Sequence, residues 1–328
     1  MSQFNHDSKK IIQVKNLVKY FPIKSGVMQG VTGHVKAVDD VSFDIETGTT
    51  LGLVGESGCG KTTIGRTLLK LHDATSGQVL FEDRNLFDLK RNELRILRPQ
   101  IQMIFQDPYS SLSPRMPVGE IIGEAVREHK IVPNSELRKY VLQTMDDCGL
   151  QKHHIDRYPH EFSGGQRQRI CIARALALKP KFIVADEPVS ALDVSIQAQI
   201  INLLKDLQDE HNLTYLFISH DLSVVEHISD NIGIMYLGNL VEFGPKTKVF
   251  ANPKHPYTQA LFSAVPNPDP DAIRSRTILQ GDIPSPANPP SGCKFHTRCP
   301  RVMDICKSEI PKETISDTNH KVSCHLFQ

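Results

Sequence analysis

The chain of 328 residues has no tryptophan, almost no net charge and no long apolar run. Its formal net charge of +1 provides no basic field, which argues against nucleic-acid binding. No stretch approaches the roughly 18 consecutive apolar residues that a membrane-spanning helix needs. Residues 1–10 are polar and lack the apolar segment of a signal peptide. We therefore expect a cytosolic chain that reaches a membrane only through a partner.

The cysteines are concentrated near the end of the sequence. Four of the seven lie between positions 293 and 324, and in a reducing compartment such a group more often binds metal than forms disulfides. Four thiolates can hold Zn²⁺ tetrahedrally or bind an iron–sulfur cluster. The spacing lacks a C-x₂-C pair and leaves the metal open, with His296 and His325 as alternative ligands. The candidate ligands are Cys293, Cys299, Cys306 and Cys324.

Short apolar runs separated by helical patterns predict an α/β core with a mostly parallel sheet. We expect buried strands over residues 51–55, 101–105, 182–185 and 215–218. An alternating pattern over residues 38–45 predicts an antiparallel strand instead.

Three further segments have patterns of their own. Residues 117–150 place apolar residues at helical spacing, which predicts a small helical subdomain inserted into the core. Residues 235–244 predict two strands around a turn at Gly238 and Asn239. Nine of the 21 prolines lie in residues 266–311, which predicts an extended, loop-rich tail rather than a continuation of the sheet.

A glycine-rich stretch directly after the strand at 51–55 fits the phosphate-loop pattern G-x-x-x-x-G-K-[ST]. In this pattern backbone N–H groups and the start of the following helix face the phosphates. Lys61 is expected to neutralise the β- and γ-phosphates of a nucleotide, and Thr62 to coordinate Mg²⁺. The loop consists of Gly55, Glu56, Ser57, Gly58, Cys59, Gly60, Lys61, Thr62 and Thr63.

Two carboxylates follow the apolar run at 182–185, where α/β proteins bind ligands at the strand ends. Asp186 is expected to hold the Mg²⁺ shell, and Glu187 to orient and polarise an attacking water. A glycine-rich turn without a ligand is the alternative explanation of the phosphate-loop pattern. The presence of both motifs argues against that alternative and predicts a P-loop nucleoside triphosphatase.

Residues 162–166 read Phe-Ser-Gly-Gly-Gln and resemble the Leu-Ser-Gly-Gly-Gln signature of ATP-binding-cassette ATPases. Ser163, Gly164 and Gly165 would begin a helix whose first turn offers a hydroxyl, N–H groups and about half a positive charge. The resemblance implies that this helix start, with Gln166, contacts the ATP bound by the opposite subunit.

The same resemblance assigns the other motifs of the family. It implies that Tyr20 stacks on adenine, with Phe21 as the alternative. It also implies that Gln106 touches Mg²⁺, that His220 contacts the γ-phosphate, and that residues 190–193 line the dimer seam.

The family resemblance covers about residues 11–262, the expected nucleotide-binding domain. It implies a P-loop core with an antiparallel β subdomain and a helical subdomain at about residues 107–177. Residues 263–328 then form a C-terminal extension containing proline and the four clustered cysteines. Related DNA-repair ATPases insert a long coiled coil before the signature, whereas here 56 residues lie between Gln106 and Ser163.

Four segments resemble, more narrowly, the ATP-binding subunits of bacterial dipeptide and oligopeptide permeases, closest to the second of their two paralogous ATPases. This resemblance implies ATP- and Mg²⁺-dependent import of peptides. The implied partners are the paralogous ATPase, two membrane permeases and an extracytoplasmic peptide-binding protein, with this chain peripheral on the cytoplasmic face of the inner membrane. The segments are residues 106–115, 157–160, 253–261 and 283–286.

Two alternatives to peptide import stay open. Nickel importers share the cysteine-containing tail, so the cargo could be nickel or another solute. A soluble cassette protein acting as a scaffold or assembly factor, as in iron–sulfur biogenesis, is the other alternative.

Some relatives with this tail are thought to carry a [4Fe–4S] cluster; Zn²⁺ or unmetallated cysteines are the other possibilities here.

Overall fold

The computed structural model describes residues 9–26, 30–264, 279–317 and 319–328. Its strands are β1 (Lys10–Ser25), β2 (Gly30–Glu46), β3 (Thr50–Val54), β4 (Ser76–Phe81), β5 (Arg84–Asn85), β6 (Ile101–Ile104), β7 (Phe182–Asp186), β8 (Thr214–Ile218), β9 (Asn231–Tyr236), β10 (Asn239–Pro245), β11 (Glu313–Asp317) and β12 (His320–Ser323).

The α-helices are α1 (Lys61–Leu68), α2 (Arg91–Leu97), α3 (Pro108–Ser111), α4 (Val118–Glu128), α5 (Leu137–Asp147), α6 (Gly164–Leu176), α7 (Val194–His211), α8 (Leu222–Ile228), α9 (Lys246–Ala251), α10 (Pro256–Ser263) and α11 (Ile305–Ser308). Within the four described ranges, no helix has the length and apolar character needed to cross a membrane.

The chain divides into two compact units. The first contains Ile45–Thr50 and Asp88–Ile218 together with residues 9–11. The second contains Ile12–Asp44, Leu51–Phe87 and the described part of Ser219–Gln328.

The first unit is built on three parallel strands in the order β6-β7-β8. Every residue of β7 and β8 is buried. Strands covered on both faces are apolar throughout, which explains why these segments show no alternation in the sequence. The register pairs Ile104 with Ala185 and Asp186 with Ile218, so the strands end together at one edge.

Four helices of the first unit pack around α6, which contacts α3, α4, α5 and α7. Helices α4 and α5 lie within residues 117–150, where the sequence predicts helices, and they pack on each other. Val126 on α4 and Met145 on α5 are fully buried. A Cβ at Gly123 of α4 would lie 3.4 Å from the side chain of Val141 of α5, so the two helices approach closely at this glycine.

The second unit contains a four-stranded arrangement in the order β2-β1-β4-β5, in which β4 is antiparallel to both β1 and β5. It also contains the strands β11-β12-β10-β9-β3 in that order. Strand β3 runs parallel to β9, and the other pairs of this group are antiparallel. Helix α1 follows β3 directly after the phosphate loop.

The turn between β9 and β10 differs from the prediction by one residue. Asn239 pairs with Tyr236, so the turn consists of Leu237 and Gly238 rather than Gly238 and Asn239. Both turn residues have positive φ, 42° and 80°, as a tight hairpin turn requires. A Cβ at Gly238 would lie 2.8 Å from the carbonyl oxygen of Lys36. The glycine is therefore needed for this close approach as well as for its conformation.

The prediction that the tail does not continue the sheet is wrong. Strand β12 pairs antiparallel with β10, matching Glu242 with Val322, and β11 extends the sheet further. The high proline content misled because both strands begin after Pro311, the last proline of the chain. Between residues 279 and 304 the described chain contains neither helix nor strand, in agreement with the loop-rich prediction for that part.

A buried carboxylate fastens β12 to the rest of the second unit. Glu242 accepts hydrogen bonds from the backbone N–H groups of Lys254 (2.8 Å) and His255 (2.9 Å) and lies 2.7 Å from Nε2 of His320. Both Glu242 and His320 are 1% exposed. A buried carboxylate requires such partners, because desolvation otherwise costs several kcal/mol, on the order of the whole stability margin of a domain.

Candidate functional site

The phosphate loop curls in a way that only glycine allows at several positions. Gly58 and Gly60 have φ values of 78° and 109°. A Cβ at Gly60 would lie 2.0 Å from the carbonyl oxygen of Ala37, and a Cβ at Gly55 would lie 2.3 Å from that of Met235. These contacts leave no room for a side chain, so the glycines of the motif fix the path of the loop.

Lys61 begins α1 and is only 5% exposed. Its ammonium group donates to the carbonyl oxygens of Gly55 (2.7 Å) and Glu56 (3.1 Å), so the charge lies within its own loop. Thr62 and Thr63 are half-buried in the first turn of the same helix, whereas Ser57 is exposed at the tip of the loop. The loop therefore concentrates positive charge and N–H groups, as phosphate binding requires.

Cys59 lies inside the phosphate loop and is 5% exposed. Burial raises the pKa of its thiol, an effect that the neighbouring Lys61 only partly offsets. The thiol therefore stays protonated at neutral pH and fills space between the loop and its surroundings.

The two carboxylates after β7 differ in environment. Asp186, the last residue of the strand, is 1% exposed. Glu187 is half-buried and adopts φ = 46°, a left-handed conformation that is uncommon for a residue with a side chain. Its N–H group donates to the carbonyl oxygen of Ile218 at 2.9 Å, which holds it in this conformation. Strained backbone of this kind concentrates at functional sites.

The structure brings Glu187 together with Gln106. Gln106 follows β6 and donates from Nε2 to Oε2 of Glu187 at 2.9 Å. Asp107, the next residue, caps α3 by accepting from the N–H groups of Tyr109 and Ser110. The cap fixes the backbone beside Gln106, so the amide is directed toward the carboxylate by the end of β6 and the start of α3.

The signature segment starts α6 with a capping box. The Ser163 hydroxyl accepts from the N–H of Gln166 at 3.3 Å, and the Gln166 side chain accepts from the N–H of Ser163 at 3.1 Å. Ser163 and Gly164 are exposed. A Cβ at Gly165 would lie 2.5 Å from the side chain of Ile196, so α7 requires glycine at this position. The result is an exposed helix N-terminus with a hydroxyl beside it.

The remaining predicted residues lie at strand ends. Ser190 donates from its hydroxyl to the carbonyl oxygen of Glu187 at 3.1 Å, which ties residues 190–193 to the acidic motif. His220 is exposed after β8 and precedes Asp221, the N-cap of α8. His220 belongs to the same unit as the phosphate loop, whereas Gln106, Asp186, Glu187 and the signature belong to the other.

Tyr20 lies half-buried near the end of β1, and its hydroxyl donates to a carboxylate oxygen of Asp39. Burial, reinforced by Asp39, raises the pKa of Tyr20 to about 12, so the phenol stays protonated. The ammonium of Lys36 lies 5.7 Å from the ring centroid. The alternative, Phe21, packs edge-on against His72 with ring centroids 5.5 Å apart.

Two contacts between the C-terminal extension and the surroundings of the candidate site went unrecognised in the sequence. Arg298 of the C-terminal extension forms a bidentate salt bridge with Glu56 of the phosphate loop, with N···O distances of 2.9 Å and 3.2 Å. Lys294 donates to the second carboxylate oxygen of Asp39 at 2.7 Å. These pairs join residues 242 and 255 positions apart, and no local pattern connects such distant positions.

Burial by itself lowers the pKa of the Arg298 guanidinium, but the hydrogen bonds and charge of Glu56 outweigh burial and hold that pKa raised. For Asp39, burial acts to raise the pKa, and hydrogen bonds from Lys294 and Tyr20 overcome this and lower it. Burial lowers the pKa of Lys294, and the hydrogen bond and charge of Asp39 act against this. Each basic side chain lies within hydrogen-bond distance of its carboxylate, which is the geometry of an ion pair.

The four clustered cysteines are all free thiols, with Cys306 and Cys324 buried and Cys293 and Cys299 half-buried. Burial, with a contribution from the other three thiols, raises the pKa of Cys293 to about 11. Within the part of the chain that the structure describes, no three His, Cys, Asp or Glu side chains are arranged to hold a metal ion. The predicted cluster site is therefore not confirmed.

Two protein-family models match the chain. Residues 38–190 match the family described as ABC transporter. Residues 241–306 match the family described as oligopeptide/dipeptide transporter, C-terminal region.

The chain is also similar to curated proteins along nearly its whole length. It is 53% identical over 324 residues to the oligopeptide transport ATP-binding protein AppF of Bacillus subtilis (strain 168), covering 98% of each chain. It is 50% identical to the probable peptide ABC transporter ATP-binding protein y4tS of Sinorhizobium fredii, covering 97% of this chain and 90% of that one.

Solved structures resemble it over a shorter range. The post-hydrolysis dimer of the ATP-binding cassette MJ0796, bound to ADP and Pi, matches 72% of this chain and 98% of that one, with 28% identity and a TM-score of 0.64. The cbiO1 structure from Clostridium perfringens, part of the ABC transporter complex cbiONQ, matches 74% of this chain and 91% of that one, with 28% identity and a TM-score of 0.63.

Proposed function

Because the chain belongs to the ATP-binding-cassette transporter ATPases, we propose that it hydrolyses ATP to drive the import of dipeptides or oligopeptides through a membrane transporter. The observation that carries the proposal is the similarity at 53% identity to an oligopeptide transport ATP-binding protein, which extends through the C-terminal extension. Membership of the family makes the chain an ATPase that uses ATP and Mg²⁺. The peptide cargo is the proposed part.

The proposed ATP site uses the residues predicted from the sequence. The loop from Gly55 to Thr63 binds the triphosphate, with Lys61 as its main positive charge, and Tyr20 stacks on adenine. His220 contacts the γ-phosphate. The glycine-defined loop path and the inward ammonium of Lys61 support the phosphate assignment.

Hydrolysis requires a water in line with the bond between the β- and γ-phosphates. Glu187 accepts a hydrogen bond from this water as it attacks phosphorus, and the β–γ bond breaks to give ADP and phosphate. The Gln106 amide, 2.9 Å from the Glu187 carboxylate, sets the direction of that acceptor. Catalysis then depends on positioning and charge stabilisation rather than on covalent chemistry.

Mg²⁺ supplies charge neutralisation of the phosphates when it is bound. The oxygen donors of Thr62, Gln106 and Asp186 suit this cation, which prefers oxygen ligands. Asp186 is 1% exposed, and a carboxylate this deeply buried at a strand end is suited to hold a cation in a nucleotide site.

We assign the signature Ser163–Gln166 to the ATP of a facing subunit. The exposed, capped start of α6 supports this assignment, because it presents a hydroxyl and N–H groups to the outside of its own unit. The facing subunit is proposed to be a paralogous ATPase, so that each of two composite sites takes its phosphate loop from one chain and its signature from the other.

The proposed organisation places the nucleotide-binding domain at residues 11–262, with an antiparallel β subdomain and a helical subdomain at about residues 107–177. Residues 263–328 form the C-terminal extension of peptide-permease type. The assembly would include two membrane permeases and an extracytoplasmic peptide-binding protein, with this chain on the cytoplasmic face of the membrane. The helices α3–α6 are the proposed helical subdomain.

Peptide uptake tests the cargo assignment directly. Cells lacking this chain should lose uptake of a radiolabelled tripeptide and regain it when the unchanged chain is expressed, but not when the Glu187→Gln variant is expressed. Radiolabelled nickel uptake measured in the same cells separates the main alternative. Unchanged peptide uptake with loss of nickel uptake would replace peptide by nickel as the cargo. Unchanged uptake of both, with no permease co-purifying, would favour the soluble scaffold.

A [4Fe–4S] cluster on Cys293, Cys299, Cys306 and Cys324 is the second part of the proposal, with Zn²⁺ as the alternative. The donor chemistry fits either group, and the N–H of Cys293 donates to the carbonyl oxygen of Cys306 at 2.8 Å, which places the backbones of these two cysteines side by side. The four sulfurs would hold the cluster as thiolates, and its iron would supply the positive charge that stabilises them.

Metal analysis of the chain purified without oxygen tests this part. We expect iron and acid-labile sulfide in about equal amounts with broad visible absorption, and their loss in Cys306→Ser. Cys171→Ala, which changes a buried thiol of the first unit, is the matched control and should retain both. Zinc without sulfide would select the alternative, and neither metal would leave the cysteines unmetallated.

A further inference from the structure

The C-terminal extension contacts the proposed ATP site at two separate places within the second unit. Lys294 bonds Asp39, which also accepts from the Tyr20 hydroxyl. Arg298 bonds Glu56, a residue of the phosphate loop. The two basic residues are four positions apart, and one contacts the adenine end of the site while the other contacts the phosphate end.

Phe295 anchors the segment between these two contacts. Its side chain is 1% exposed, and its ring centroid lies 5.2 Å from that of Tyr236 and 5.4 Å from that of Tyr257. Tyr257 in turn accepts a hydrogen bond from the N–H of Glu56 at 3.0 Å. The ring cluster therefore connects the anchor to the backbone of the phosphate loop, and the segment 294–298 has a fixed position on it.

The Arg298 contact bears on nucleotide binding because Glu56 carries a negative charge. A carboxylate in a phosphate loop opposes the binding of a polyanion, because like charges at short range repel. The bidentate guanidinium neutralises this carboxylate, and the side chains are only 8% and 25% exposed, so water screens the pair weakly. The Lys294 ammonium likewise holds Asp39, 21% exposed at its side chain, in the position from which it fixes the Tyr20 phenol.

We propose that Lys294 and Arg298 of the C-terminal extension are positioning residues for ATP: Arg298 sets the affinity of the phosphate loop for the triphosphate, and Lys294 sets the contribution of adenine through Asp39 and Tyr20. The proposal rests on the assignment of Tyr20 and of the phosphate loop to the ATP site. It makes nucleotide affinity a property of the extension as well as of the cassette motifs.

Titration calorimetry can separate the roles of the Arg298 and Lys294 contacts. It measures the binding of ATP and of tripolyphosphate to the full chain, with Mg²⁺ present and in the Glu187→Gln background. Arg298→Ala should weaken both ligands roughly tenfold, the size expected for a charge-assisted bidentate pair beside an anion site. Lys294→Ala should weaken ATP roughly fivefold and leave tripolyphosphate unchanged, because only ATP carries adenine. Lys307→Ala is the matched control: its partner Asp304 is an exposed residue of the same extension, and neither affinity should change.

A double-mutant cycle distinguishes positioning from a general loss of folding. If Arg298 acts by neutralising Glu56, Glu56→Gln should bind tripolyphosphate more tightly than the unchanged chain, because the guanidinium then has no carboxylate to neutralise. Arg298→Ala combined with Glu56→Gln should regain most of the affinity that Arg298→Ala loses. A double variant as weak as Arg298→Ala, or an Arg298→Ala variant that binds both ligands normally, would overturn the proposal.

The same titrations distinguish a failure of this inference from a failure of the proposed ATP site. Tyr20→Ala should weaken ATP and spare tripolyphosphate. Normal ATP binding by Tyr20→Ala removes the adenine assignment, and with it the role of Lys294. A weakened Tyr20→Ala beside a normal Lys294→Ala removes the role of Lys294 alone. Thermal unfolding of each variant, recorded without ligand, identifies any change due to misfolding.

Discussion

The Glu187→Gln variant should bind ATP as the unchanged chain does and hydrolyse it roughly 10²–10⁴ times more slowly, the scale of a lost general base. The substitution keeps the shape and the position of the side chain but removes the negative charge that polarises water. The Gln106 amide can still reach the remaining oxygen, so the loop geometry should persist. Phosphate release and nucleotide binding, measured on the same preparation, give the two quantities.

Glu210→Gln is the matched control, because Glu210 is exposed near the end of α7 in the same unit and should leave hydrolysis unchanged. Near-normal hydrolysis by Glu187→Gln would contradict the assignment of the attacking water to this carboxylate. Loss of both binding and hydrolysis would instead point to a structural role for the strained position, whose φ is 46°.

Lys61→Met should lower ATP affinity by roughly 10²-fold or more. The substitution removes a charge-assisted contact to the phosphates and the hydrogen bonds that the ammonium makes within the loop. The ammonium donates to the carbonyl oxygens of Gly55 and Glu56. Its loss therefore removes two hydrogen bonds within the loop as well as the positive charge. Methionine keeps most of the side-chain volume, which limits the change to charge and hydrogen bonding.

Lys246→Met provides the comparison for this variant. Lys246 also donates to a backbone carbonyl, that of Glu226 at 2.8 Å, but it lies on α9 outside the phosphate loop. Its substitution should leave ATP affinity unchanged. If Lys61→Met and Lys246→Met bound ATP equally well, the phosphate assignment of Lys61 would be wrong.

Much of the core and the local motifs could be predicted from the sequence. The strands β3, β6, β7 and β8 match their predicted positions within one residue, because strands buried on both faces are recognisable as short apolar runs. The phosphate loop and the signature are also local: their glycines, capping residues and charged groups lie within nine and five consecutive positions. Local chemistry of this kind is visible in a single sequence.

The features that sequence reasoning missed depend on distant pairing. The addition of β12 to β10 and the Arg298–Glu56 bridge have no signal in the composition of either segment. The turn at Leu237 was missed because Gly-Asn is the stronger turn signal, whereas the register of the strands selects Leu-Gly. In each case the deciding interaction lies in another element of the fold.

The pairing of β10 with β12 also has a consequence for synthesis on the ribosome. Glu242 and Val322, which face each other in these strands, are 80 positions apart. At about 5–20 residues per second, roughly 4–16 s pass between their translation. During that interval one edge of β10 has no strand to accept its hydrogen bonds, and an open edge invites pairing with other nascent chains. Chaperone demand should therefore concentrate in this interval, and slower translation of the codons between these two positions should lengthen it.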